Sequence, residues 1–237
     1  MWAMTKTTIL FALILLPSIV LGQGTDPARP HPSDDFGRNV SVSQLLANAQ
    51  ASVGRGDQAG AMSALRQAVA LDERHKLARK ALIQFLLLQG ALKEAEEQAQ
   101  IFARLHPEET EAFFLRAMVA FQSGRLREAS EWAEACLKRG DRRGEVHKLF
   151  ALSEYLQRRF EAFETHIREA AKLDPLDPDP HYHLGRYYFE DKRYEQALGE
   201  FRKAFELQPE HFKSHYYAGL VHEGQNDIEA ARREMQA

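Results

Sequence analysis

The chain has 237 residues, 44% apolar and 27% charged, a composition of folded globular chains and long enough for one or two domains or one repeat array. Its 31 Lys and Arg against 34 Asp and Glu leave a formal charge of −3, so nucleic acid is not an expected partner. A lone cysteine, Cys136, excludes an internal disulfide and a thiolate metal cluster.

Residues 1–22 place Lys6 ahead of the uncharged apolar run ILFALILLPSIVLG, which Pro17 interrupts. Val20 and Gly22 are small enough for the −3 and −1 positions of a signal-peptidase site before Gln23. The run is short for a membrane span, so the expectation is a signal peptide and an exported protein, periplasmic or secreted. The alternative is a membrane anchor made by an uncleaved signal. The absence of a following cysteine argues against lipid modification. Residues 23–41 hold Pro27, Pro30 and Pro32 and almost nothing apolar, which predicts a disordered linker. Asn39-Val40-Ser41 fits a glycosylation acceptor, meaningful only in a eukaryotic secretory route.

From Val42 the chain repeats every 34 residues, as units 42–75, 76–109, 110–143, 144–177, 178–211 and a partial 212–237. One column reads Ala61, Ala95, Ala129, Phe163, Ala197, Ala231. Another reads Leu71, Leu105, Arg139, Leu173, Leu207, and a third Pro107, Pro175, Pro209 with Glu73 and Asp141 in the other units. The turn column, Gly56, Gly90, Gly124, Arg158, Lys192, Asn226, favours left-handed helix caps in four of six cases. In Pro178–His211 the apolar spacing predicts two amphipathic helices, with Leu184 and Tyr188 on the first and Ala197, Phe201, Ala204 and Leu207 on the second. Such a hairpin needs neighbours of its own kind to bury its stripe.

At Leu184-Gly185, Tyr188, Tyr194, Ala197, Phe201, Ala204 and Pro209 the chain resembles the tetratricopeptide repeat, and the resemblance covers residues 42–237. It implies an all-α solenoid of about six helix–turn–helix units wound into a right-handed superhelix. His147, His181 and His215, with Phe113, stand at the family's first large aromatic position. Phe163 in place of Ala, with Arg139 and Asp141 in place of Leu and Pro, predicts looser or displaced packing between units three and four. The sixth unit stops at Ala237 without a polar capping helix. Two readings stay open: the reading frame continues, or self-association through the uncapped repeat covers the face.

Ten histidines raise the question of metal, but HFKSH at 211–215 lacks a third ligand, so hydrogen-bonded interface histidines are expected and no metal or cofactor is. Cys136 falls in a column of mostly small residues with Ala68, Phe102, Ala170 and Ala204 and is read as a buried hydrophobe. The acidic stretch 174–180 is read as an inter-repeat turn. No catalytic motif is present, and the chain is read as not an enzyme. The resemblance implies that the second, fifth, ninth, twelfth and thirteenth residues of each unit face a groove. That nominates Lys80, Phe114, Phe121, Lys148, Tyr155, Tyr182, Arg186, Phe189 and Tyr216 as a peptide-binding surface. Lys80 alone matches the Lys and Asn set with which some relatives grip a terminal carboxylate, so that use is not expected. The sequence thus reads as a scaffold or assembly factor that binds a protein or peptide. The alternative is a helical accessory region of a larger cell-envelope enzyme or transporter that extends past Ala237.

Overall fold

Inside each of the six repeats the chain turns back on itself through one residue with positive φ: Gly56, Gly90, Gly124, Arg158, Lys192 and Asn226, at 59–75°. All six turn positions are therefore left-handed, including the three that are not glycine. Each such turn joins two helices. Residues 41–234 are described by the computed structural model, and among them there are twelve α-helices and no strand. In order these are α1 (Val42–Gly54), α2 (Gln58–Leu71), α3 (Lys76–Leu88), α4 (Leu92–Leu105), α5 (Thr110–Gln122), α6 (Leu126–Lys138), α7 (Gly144–Leu156), α8 (Phe160–Leu173), α9 (Asp179–Glu190), α10 (Tyr194–Leu207), α11 (Phe212–Gly224) and α12 (Ile228–Glu234). The expected signal peptide and all of the expected linker except Ser41 lie outside the described residues. Ser41 caps α1, its Oγ accepting from Gln44 N at 3.1 Å. No described helix is long and apolar enough to cross a membrane.

The helices form two compact units that divide in the turn of the third repeat, between Ser123 and Gly124. In the first, α2 packs on α3 and α4 on α5, and α3 also meets α5. Its core holds Leu65, Leu82, Ile83, Leu86, Phe102, Leu115 and Val119. In the second, Ala151, Phe163, Ile167, Leu184, Tyr188, Ala197, Phe201 and Val221 form a continuous cluster. The alanine column is buried throughout because two helices cross there, and a longer side chain fits only where its neighbours repack around it, as around Phe163 in the fourth repeat. Gly185 shows how close the approach is: a Cβ built on it would lie 2.5 Å from the Phe201 ring.

The expected loosening between the third and fourth repeats is not found. Helix α6 packs on α7, and Ser130 Oγ donates to Glu154 Oε1 at 2.6 Å. Gln157 Nε2 donates to the Leu126 carbonyl at 3.2 Å. Asp141, standing where other repeats have Pro, organises the turn instead: its carboxylate accepts from Arg143 N at 3.1 Å and from Arg143 Nη2 at 2.7 Å. Phe163 is fully buried, because Tyr155 and Tyr187 offer it aromatic partners at 4.9 and 5.3 Å.

Candidate functional site

The nominated groove residues do not share one environment. Phe114 and Phe121, each 2% exposed, and Tyr182, 4% exposed, are packed inside the chain. These three correct the sequence reading: the fifth position of the third and fifth repeats and the twelfth of the third are buried, not open to a groove. Burial, opposed by Arg186, pushes the Tyr182 hydroxyl up to about 12. Lys148 is also buried, its Nζ 2.6 Å from Asp177 Oδ2 and 3.2 Å from Asp179 Oδ2. Burial alone would lower its pKa; the two aspartates outweigh that and raise it. Lys80, in the other compact unit, pairs with Glu111 at 2.7 Å. Neither lysine is therefore an uncompensated cation.

Four nominated residues remain at a surface, on α7, α9 and α11. Tyr155 and Phe189 are half-buried, and Tyr216 is 53% exposed. Arg186 lies among them with its side chain 16% exposed. Its guanidinium carbon sits 5.3 Å from the Tyr155 ring centre and 5.9 Å from that of Tyr217, within cation–π range. Arg186 Nη2 donates to Tyr155 Oη at 3.3 Å and to Glu190 Oε1 at 3.2 Å, while the Tyr155 hydroxyl donates to Glu190 Oε2. Arg186 Nε is buried and finds no acceptor among the described residues. Burial raises the Tyr155 pKa, with Glu190 reinforcing and Arg186 opposing, so the phenol stays protonated across the physiological range. Tyr217 completes the surface, edge-on to Phe189 at 5.7 Å and to Tyr216 at 5.6 Å.

Sequence reasoning missed Tyr217, Glu190 and Lys213, whose ammonium lies 5.7 Å from the Tyr182 ring centre. Glu190 and Lys213 stand in the groove columns, at the thirteenth and second positions of their units, and were passed over in favour of aromatic residues. Tyr217 lies one residue outside those columns, and only the packing of α9 on α11 brings its ring to Arg186.

Beside this surface, Ser214, His211 and Asp179 superficially suggest a catalytic triad. His211 Nδ1 is 2.7 Å from Ser214 Oγ, and His211 Nε2 is 3.6 Å from Asp179 Oδ1, beyond a hydrogen bond. Ser214 is completely buried and His211 almost so, so the contact lies within the packing at the start of α11 and presents no nucleophile. The expected hydrogen-bonded histidine column is present: His147, His181 and His215 pair with His166, Glu200 and Glu234. Cys136 is fully buried, as read. No cluster of three or more metal-ligating side chains occurs among the described residues.

The tetratricopeptide repeat family matches twice, at residues 93–143 and at 178–211, the second coinciding with one helical hairpin and its flanks. The chain is a tetratricopeptide repeat protein. Such repeats serve in general as protein–protein interaction scaffolds. Over 73 residues it is 41% identical to regulator of microtubule dynamics protein 3 of Xenopus laevis, a match that spans 27% of the chain and 16% of that relative. Its fold is similar to that in the Cut9–Hcn1 hetero-tetramer of APC/C, with a TM-score of 0.74 and 14% identity over 84% of the chain and 40% of the other. It is similar also to PilW, a type IV pilus biogenesis factor, with a TM-score of 0.72 and 13% identity over 84% of the chain and 91% of PilW. At such identities the structural likeness concerns the fold alone.

Proposed function

We propose that this tetratricopeptide repeat protein is a non-catalytic scaffold that binds a peptide or partner protein on the aromatic face of α7, α9 and α11. The observation that carries the reading is Arg186, held between Tyr155 and Tyr217 beside the exposed ring of Tyr216. Tyrosine and arginine bury much area with few rotors, which is why they dominate binding energy at interfaces. The buried Arg186 Nε–H also suits a carbonyl or carboxylate acceptor supplied by a partner, since an unmet donor costs about 1–3 kcal/mol. Lys148 takes no direct part, because its charge is spent on Asp177 and Asp179.

Replacing Tyr155, Phe189 and Tyr216 together by Ala is expected to abolish capture of partners from a cell-envelope extract while the helical circular dichroism is kept. Undiminished capture by the triple variant would move the binding surface elsewhere. The apolar run of residues 1–22 supports an exported location as part of the same proposal. N-terminal sequencing of the protein from the cell envelope is then expected to begin at Gln23, and a chain starting at Met1 in the cytosol would refute export.

A further inference from the structure

Repeats four, five and six close one helix-to-helix contact with a histidine, but not with the same partner. His181 Nδ1 lies 2.7 Å from Glu200 Oε2, and His215 Nδ1 lies 2.9 Å from Glu234 Oε2. His147 Nδ1 instead lies 2.9 Å from His166 Nδ1. A carboxylate accepts from an imidazole or an imidazolium alike. Two imidazoles bond through their Nδ1 atoms only if one ring donates from Nδ1 and the other keeps its proton on Nε2. A first added proton settles on Nε2 of the donor ring and leaves the bond intact. A second must take the accepting Nδ1, and two cations then face each other N–H to N–H.

The surroundings do little to relieve that repulsion. The His147 and His166 rings stack with centres 5.1 Å apart, and Phe150 lies 4.5 Å from His166. Burial lowers the pKa of both, and His147 lowers that of His166 further. Four carboxylates favour the cations: Glu134 on α6, Asp141 before α7, Glu154 on α7 and Glu169 on α8. Each is already held by a cation, Lys138 at 2.8 Å, Arg143 at 2.7 Å, Arg159 at 3.3 Å and Lys172 at 3.0 Å respectively. On α9, which also packs on α8, Asp179, His181 and Arg186 are engaged by Lys148, Glu200 and Glu190.

We propose that His147 and His166 form an acid-labile latch between α7 and α8, opened by double protonation, a liability that the His–Glu pairs at the same positions of repeats five and six avoid. The sign follows from the linkage. With folded pKa values below the unfolded value of about 6.5, the unfolded chain binds more protons, so the latch is fully stabilising above about pH 6.5 and weakens as pH falls. Because α7 also carries Tyr155, an open latch displaces part of the aromatic face.

The test is His166→Glu, which copies repeats five and six. Amide hydrogen exchange read helix by helix at pH 7.5 and 5.0, corrected for intrinsic rates, is the measurement. In the natural protein α7 and α8 are expected to lose about tenfold or more of their protection in acid, one pKa unit corresponding to tenfold. In H166E that loss disappears, while any loss in α9 from the buried His183 is the same in both proteins. Equal loss in α7 and α8 of the two proteins would overturn the latch. Should H166E fail to fold, imidazole NMR titration of the natural protein decides. Both rings titrating as free histidines near pH 6.5 would overturn it, and a second protonation well below that value would support it.

Discussion

Lys148 does more for this chain as a buried clamp than as a surface cation. It ties the acidic turn before α9 to α7 through Asp177 and Asp179, and Asp179 in turn faces His211 across 3.6 Å. Burial would raise the Asp179 pKa; the His211 imidazole and the Lys148 ammonium overcome it and hold the carboxyl well below the usual carboxylate range. Removing one member of a buried pair leaves its partner unmatched, so Lys148→Met is expected to cost about 3 kcal/mol in urea unfolding at pH 7. A depressed folded pKa contributes stability above the unfolded value of about 3.9 and loses it as pH falls. The deficit of the variant should therefore narrow below about pH 4, and a deficit constant down to pH 2.5 would contradict the clamp. Sequence placed both ends of this clamp, Lys148 in a groove column and Asp177-Pro-Asp179 in a turn. That the two meet is a contact across 29 to 31 residues, which no local pattern encodes. His183 is similar: nothing in HYHLG announces that burial, helped by the Arg186, Lys148 and Lys213 cations, pushes its pKa down to about 3.

At the scale of the element, helix and turn chemistry act together. The second helices α2, α4, α8 and α10 each span 14 residues and follow a left-handed turn residue by the same short step. Only glycine takes that conformation without steric cost, yet Arg158, Lys192 and Asn226 adopt it at φ 59–62°. Packing of the two flanking helices therefore imposes the turn on Arg158 and Lys192, whereas Asn226 adopts it readily. Lys192→Gly relieves the strain at some cost in chain entropy, so a net gain of about 0.5–1 kcal/mol is expected. It should appear as a higher urea midpoint with an unchanged slope, and a lower midpoint would show that Lys192 contributes a contact worth more than the strain. The turn column was legible from four favourable residues, and the other two were compelled by their neighbours.

At the scale of the whole molecule, contacts run between near neighbours in sequence, as expected of stacked repeats whose stability is a sum of units and interfaces. The division into two compact units falls inside the third repeat, at Ser123 and Gly124, whereas the sequence pointed to the junction with the fourth. The substitutions at Arg139, Asp141 and Phe163 that suggested a weak junction are compensated there by Arg143, Ser130, Gln157 and two tyrosines. Both units carry their own buried cluster, and the aromatic face belongs wholly to the second.

The sequence by itself determined the repeat length, the helix pairs and the buried small residues, because these are properties of periodic spacing and side-chain size along one element. It also marked which columns carry aromatic and cationic residues in repeats three to six. Tertiary structure alone decided which of those side chains meet solvent. Tyr182 turns inward while Tyr216, one repeat later in the same column, is exposed, because α11 covers the first and no described helix covers the second. It likewise decided that Lys148 is neutralised, that Tyr217 joins Arg186, and that His147 faces another histidine rather than a carboxylate. Exposure and pairing depend on what a neighbouring helix brings to the contact, and that partner lies tens of residues away in the chain.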